Sequence, residues 1–170
     1  MPCPFSTCAN KAVIMPRSAL LILAGAVIAL GFAFVMQYGF DLHPCVLCLW
    51  QRVPFGAVIV LAALASIPAL RRHAPVLLAL CALAYLAGTG LAVFHTGVER
   101  HWWLGTSGCS ITPLAGSSAE DLRTQLLHTV VARCDEIAWT FLGLSMANYN
   151  IVYSLVLALF SICAARKANT

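Results

Sequence analysis

The chain has 170 residues, the length of a single domain, of which 61% are hydrophobic and only 9% charged. An ordinary soluble domain carries about 25% charged residues, so this composition excludes a soluble fold and requires a bilayer as solvent. The net charge of +4 becomes informative only through where the charges stand.

No Asp, Glu, Lys or Arg interrupts residues 18–40, 53–70, 73–98 or 137–165. Each run can hold a spanning helix, which needs about 20 residues. The first span is expected over residues 18–38. Lys11 and Arg17 precede it as they would a signal peptide. Its apolar run is longer than a signal core, however, and no small-x-small cleavage site follows cleanly, so a retained helix is expected. A short loop, 39–48, leads to the second span, 49–69, which is entered through Pro44-Cys45-Val46-Leu47-Cys48. Pro suits a first helical turn. The turn Arg71-Arg72-His73 precedes the third span, 75–95.

The long loop, 96–147, follows. His101-Trp102-Trp103 has the composition of an interfacial anchor. A helix is expected to start near Ser117 or Ser118, each with an acid three residues on, Glu120 or Asp121. Leu122, Leu126, Leu127, Val130 and Val131 then recur at helical spacing, so this amphipathic helix would lie on the bilayer surface and carry Cys134 near it. The apolar stretch Ile137 to Ala147, with Gly143 inside it, reads as a re-entry into the membrane interface. The fourth span is expected over 148–165. The fold class is therefore all-α: one membrane domain, residues 1–170, built as a four-helix transmembrane bundle with a short and a long outer loop.

Lys11, Arg17, Arg71, Arg72, Arg166 and Lys167 fall on one side with no acid among them. All six acids, Asp41, Glu99, Glu120, Asp121, Asp135 and Glu136, fall on the other. The basic side should face the cytoplasm, with both termini, and the two cysteine-bearing loops should face out. Asp41 and Glu99 read as solvated loop charges. Gly88 and Gly90 in the third span are candidates for close helix approach.

Four of the eight cysteines, Cys45, Cys48, Cys109 and Cys134, lie in or beside the two outer loops, which points to an oxidising compartment. At a helix start, backbone donors and the helix dipole favour the thiolate forms of Cys45 and Cys48. Arg52 lies four residues after Cys48 on the same helical face. It is either an interfacial cation reaching for the headgroups or a charge that lowers a thiol pKa and holds a reducible oxygen ligand. Cys109 and Cys134 admit three readings. They form an inert staple, complete a four-thiolate zinc site with Cys45 and Cys48, or relay electrons to that pair. His95, ending the third span level with Cys48 and Arg52, is either an ordinary interfacial histidine or a ligand contact. Cys81 and Cys163 read as small hydrophobes, and Cys3 and Cys8 stand on the reducing side.

Pro44-Cys45-Val46-Leu47-Cys48-Leu49-Trp50-Gln51-Arg52 closely resembles the P-C-x-L-C-x-x-Q/E-R motif of the DsbB family, the membrane disulfide bond formation proteins. Gly97-Val98-Glu99 with Trp102-Trp103 is similar to one branch of that family. Trp139-Thr140-Phe141-Leu142-Gly143-Leu144-Ser145-Met146 resembles the stretch after its last loop cysteine. The resemblance implies a protein-disulfide:quinone oxidoreductase of the bacterial inner membrane. It would reoxidise a DsbA-like periplasmic thiol oxidase of thioredoxin fold and pass the electrons to the membrane quinone pool, ubiquinone or menaquinone. By motif, Cys109 would form the mixed disulfide with the partner and Cys134 would reach Cys45. Cys48 would engage the quinone, with Arg52 polarising a quinone oxygen and His95 also at the ring. The resemblance also leaves room for a branch that serves dedicated substrates. The implied cofactor is quinone, no protein metal is expected, and the partners are the thiol oxidase and the bilayer, with no nucleic acid. Against the enzyme stand a non-catalytic scaffold stapled by disulfides and a zinc-binding membrane protein.

Overall fold

The computed structural model describes residues 5–106, 109 and 132–169, with side chains from Arg17 onward. The expected amphipathic helix after Ser117, and Cys3 and the Cys8 side chain, lie outside the described residues. Helix α1 spans Phe5–Gly39, α2 Val46–Ser66, α3 Ala74–Glu99 and α4 Met146–Asn169. All four are long and apolar enough to cross a membrane. A 3-10 turn, Pro68–His73, joins α2 to α3 and carries Arg71, Arg72 and His73. A two-stranded hairpin, β1 (Thr140–Phe141) with β2 (Leu144–Ser145), precedes α4. Helix α1 packs on α2 and α4, α2 on α3, and α3 on α4, which closes the bundle.

Besides the earlier start of α1, at Phe5, and the earlier end of α2, at Ser66, three features differ from expectation. Helix α2 begins at Val46 with Cys45 as its N-cap, so Pro44 stands before the cap rather than in the first turn. Helix α3 runs one turn past His95 to Glu99, because the Glu99 carboxylate is tied inward. The stretch read as a re-entry into the membrane interface contains the hairpin, with Thr140 opposite Ser145 and Phe141 opposite Leu144. Its two turn residues, Leu142 and Gly143, both have positive φ, 49° and 76°. That is the backbone of a tight two-residue hairpin, matched to the strand twist. Tyr149 donates to the Phe141 carbonyl at 2.9 Å and anchors the hairpin to α4.

The buried centre is made largely of small residues. Ala19, Ile22 and Ala26 of α1 meet Phe55, Val58, Ala62 and Ala65 of α2, Leu78, Cys81 and Tyr85 of α3, and Ala158 of α4. Larger apolar side chains such as Leu21, Ile28, Val60, Leu83, Val156 and Leu159 point outward. Association of helices within lipid is driven by close packing rather than by removal of apolar surface from water, and small residues permit that packing. Gly88 illustrates it: a Cβ there would sit 3.4 Å from Pro54 Cβ of α2. Gly90 has nothing within 4 Å, so the close approach expected of both glycines belongs to Gly88 alone.

Two tyrosines lock α1 into the bundle. Tyr85 donates to the Ile22 carbonyl at 3.1 Å and Tyr153 to the Gly25 carbonyl at 2.8 Å. These carbonyls point into an apolar interior, where an extra hydrogen bond between helices contributes about 0.6–1.7 kcal/mol. Tyr85→Phe keeps the edge contact with Phe55 and is expected to destabilise the bundle by about 1 kcal/mol. Reversible unfolding in mixed detergent measures this, and a change below a few tenths would show that the bond contributes nothing net.

Candidate functional site

The sulfur chemistry gathers where α2 begins. Cys45, as N-cap, has extended backbone (φ −71°, ψ 169°), and its Sγ accepts from the Cys48 backbone N–H at 3.3 Å. The Cys45 and Cys48 sulfurs are 2.8 Å apart, both as free thiols. Cys45 is buried and Cys48 half-buried. The hydrogen bond shared by the Cys45 and Cys48 sulfurs is the main reason the Cys45 pKa falls well below the ordinary thiol value. Burial opposes that fall, and a hydrogen bond to the His95 ring supports it. Of the two cysteines expected to favour thiolate, the cap position thus singles out Cys45.

Cys109 and Cys134 are joined as a disulfide, Cα atoms 5.0 Å apart. Thr106 holds the first of them through its carbonyl, 2.8 Å from the Cys109 N–H, and its hydroxyl, 3.3 Å from the sulfur. The loop carrying this disulfide was expected to reach outward. The disulfide is instead buried, Cys109 at 2% and Cys134 at 0% exposure, in one cluster with Cys45, Leu47 and Val98. Four sulfurs thus share one small apolar volume, two oxidised and two reduced. Cys109 and Cys134, being bonded to each other, offer no thiolates to a metal, so the four-thiolate zinc site does not form in this state. A smaller metal-capable group does exist: the ligand atoms of Cys45, Cys48 and His95 lie within 4.8 Å of one another.

His95, one turn before the end of α3, faces this cluster and is 4% exposed. Its Nε2 is 3.5 Å from Cys45 Sγ and its Nδ1 is 2.7 Å from Gln51 Nε2. Glu99 was read as a solvated loop charge. Its side chain is 7% exposed, with Oε1 3.8 Å from His95 Nε2, while Ser145 of β2 donates to Oε2. Burying a carboxylate is unfavourable unless donors surround it, and the hairpin supplies one. Asp41, by contrast, is exposed as expected.

Arg52 takes a different side of α2. Its Nη1 donates to Gln37 Oε1 of α1 at 2.7 Å, and the guanidinium lies over the Phe34 ring, 5.1 Å from its centre. Among the described residues it bonds neither Cys48 nor His95: His95 faces the pair from α3, while the Arg52 guanidinium turns away from it toward α1. Trp103 folds back onto α3, donating to the Phe94 carbonyl at 2.9 Å and stacking on that ring. It does so over Gly97, where a Cβ would fall inside the indole. Trp102 and Leu104 stay exposed beside it. Cys81 lies in the apolar core and Cys163 on the outer surface, away from this site.

Sequence reasoning passed over Gln51, Asn150, Ser145 and Asn148. Asn150 donates to Gln51 Oε1 at 2.6 Å, and the Asn148 side chain to Ser145 Oγ at 3.1 Å. The available signal was their polarity at the mouths of apolar helices, where a polar side chain needs a partner.

A family model described as disulfide bond formation protein DsbB matches residues 16–164. The chain is 31% identical over 142 residues to a disulfide bond formation protein B of Aromatoleum aromaticum, covering 81% of this chain and 85% of that protein. It is 30% identical over 171 residues to a protein of the same description from Mannheimia succiniciproducens, covering 94% and 93%. A third, from Acinetobacter baylyi, is 34% identical over 151 residues, covering 82% and 84%. No solved structure matches the chain. The family match runs from the head of the first membrane helix almost to the end of the fourth and takes in all four clustered cysteines. This multi-pass membrane chain therefore belongs to the DsbB family of disulfide bond formation proteins.

Proposed function

We propose that this protein oxidises the dithiol of a DsbA-like thiol oxidase on the outer, periplasmic side of the bacterial inner membrane and delivers the electrons to membrane quinone. The termini and the Arg71-Arg72-His73 turn then face the cytoplasm. The observation that carries the reading is the cluster of four cysteines, an outer disulfide packed on a reduced pair whose Cys45 is disposed to be a thiolate.

The relay balances as a series of exchanges. With both pairs oxidised, a partner thiolate attacks Cys109, forming a mixed disulfide and releasing Cys134 as thiolate. The partner's second thiol resolves the mixed disulfide and leaves oxidised, and Cys109 is left as a thiol. Cys134 attacks Cys45, which breaks the Cys45–Cys48 disulfide and releases Cys48. Cys109 then attacks Cys134, re-forming the outer disulfide and leaving Cys45 and Cys48 reduced. A bonded outer pair beside a free inner pair is the arrangement this last stage would leave, with two electrons held by Cys45 and Cys48. Thiol exchange proceeds through a thiolate attacker, so groups that stabilise thiolate set its rate.

A quinone would supply the acceptor for two electrons and two protons. The chain offers a fitting edge for its head. Cys48 is half-buried, Leu49, Trp50 and Val53 are exposed beside it, and the Arg52 guanidinium has N–H groups unclaimed by any described residue. Arg52 would orient a carbonyl oxygen, and His95 would hold a proton at the Cys45 end.

The test is anaerobic mixing of the purified protein with a reduced DsbA-like protein and a soluble quinone analogue, followed by thiol trapping. Stoichiometric oxidation of the partner with equal reduction of quinone is expected. Oxidation of the partner with no quinone consumed would rule out quinone as acceptor. No oxidation at all would favour a scaffold with inert disulfides.

A further inference from the structure

A line of hydrogen bonds crosses three helices and ends on the Cys45 sulfur. Ser154 of α4, fully buried, donates its hydroxyl to Asn150 Oδ1 at 3.0 Å. Asn150 Nδ2 donates to Gln51 Oε1 of α2 at 2.6 Å. Gln51, 8% exposed, then presents its amide N–H to His95 Nδ1 at 2.7 Å. The ring's other nitrogen, Nε2, faces Cys45 Sγ at 3.5 Å and Glu99 Oε1 at 3.8 Å.

A carboxamide has one donating end and one accepting end, so each amide in the line passes on a direction. A hydroxyl can donate or accept, and here Ser154 donates to Asn150 Oδ1. Asn150 must then offer N–H to Gln51, and Gln51 must offer N–H to His95. Nδ1 is thereby an acceptor and carries no proton. A ring nitrogen's state is assigned by the bonds around it, and these bonds place the proton on Nε2. Both groups facing Nε2, a sulfur disposed to thiolate and a carboxylate, are acceptors that call for a proton there. The two ends of the line agree.

We propose that Asn150, acting through Gln51, sets the tautomer of His95 so that its N–H is held against Cys45, making Asn150 and Gln51 positioning residues of the redox pair. The role assigned to that pair rests on the relay above, but the tautomer assignment does not. Asn150 stands 99 positions from Gln51 on a different helix, so the arrangement also couples the seating of α4 to the sulfur chemistry at the head of α2. Displacing α4 would free Gln51 to turn over, and the ring would then offer Cys45 a lone pair in place of a proton.

The polarity can be inverted without changing shape. In Asn150→Asp the carboxylate only accepts, so Gln51 must turn its N–H toward it and its oxygen toward His95, which requires a proton on Nδ1. Gln51→Glu does the same one step closer and stands in should the first variant fold poorly. Full-length reduced protein in lipid nanodiscs, labelled with nitrogen-15 in histidine, reports the state of each ring nitrogen. The His95 signals are those missing from His95→Gln. Wild type is expected to show Nδ1 bare and Nε2 protonated, and both carboxylate variants to show Nδ1 protonated. The ultraviolet thiolate absorption of the reduced pair is expected to change with them. A purely structural asparagine would tolerate the near-isosteric change with no shift in the ring signals. A protonated Nδ1 in wild type, or a bare Nδ1 in both carboxylate variants, overturns the proposal. Loss of quinone reduction by wild type would count against the relay and leave the tautomer result standing.

Discussion

Cys48→Ser is expected to reduce quinone turnover by a reduced thiol partner to background, a loss of at least about a thousandfold, the scale seen when an enzyme loses its reacting nucleophile. A hydroxyl cannot form a disulfide, so no inner oxidised pair exists to receive electrons from Cys134. The Cys109–Cys134 disulfide should still form in the variant, because its hold on Thr106 and its place beside Val98 remain and Cys48 only packs at the edge of that cluster. Cys45 retains its place at the helix cap and can still exchange with that disulfide. A Cys45–Cys134 bridge with a free Cys109 therefore becomes accessible at no cost in oxidation level. Peptide mapping after acid trapping should find that bridge, while Cys163→Ser, on the outer surface, should turn over as wild type does. Wild-type quinone reduction by Cys48→Ser would end the relay reading.

The bundle was legible because charge-free runs of sufficient length leave a chain little choice in lipid: every backbone group must be bonded within a helix. The four cysteines could be read as two sets for a similar reason, since the head of a helix and a polar loop are different environments. Depth was not legible. Whether Cys109–Cys134 reaches out or folds inward depends on Gly105, where a Cβ would meet Cys109 Cβ at 2.7 Å, and on Val98, brought there by the extra turn of α3. Glu99 was misread for the same cause. Its partner Ser145 lies 46 residues on, in a hairpin whose turn places leucine at positive φ, a position that local rules assign to glycine or asparagine. Arg52 was assigned its neighbour along the helix, Cys48, while its hydrogen bond goes across to Gln37 of α1. Spacing along one helix reports which face a residue occupies, and only packing reports what that face meets.

The pH dependence of Cys45 offers the second large effect. In the reduced protein its sulfur is hydrogen-bonded to the Cys48 thiol, the Cys48 backbone N–H and the His95 ring, and together these outweigh burial and lower its pKa. The sign follows directly. A lowered pKa keeps Cys45 ionised well below the pH at which a free thiol titrates, so its alkylation rate should hold steady far into the acid range. His95→Ala removes one hydrogen bond to that sulfur, and the fall in rate should begin at higher pH. Below that point each unit of separation between the two profiles corresponds to about tenfold less thiolate, and to about a tenfold slower reaction. Above it the order should reverse. A thiolate of higher pKa is intrinsically the better nucleophile, with a Brønsted slope of about 0.4–0.5, so the fully ionised variant should react faster than wild type. Crossing of the curves is the diagnostic feature, because a change in access to the buried sulfur would displace one curve from the other at all pH values alike. Residue-resolved alkylation with a small neutral reagent, read by mass spectrometry on the reduced protein, separates Cys45 from Cys48, Cys81 and Cys163. Parallel curves would mean that His95 only packs against the site, and the proton held at Cys45 would have to come from Cys48 alone.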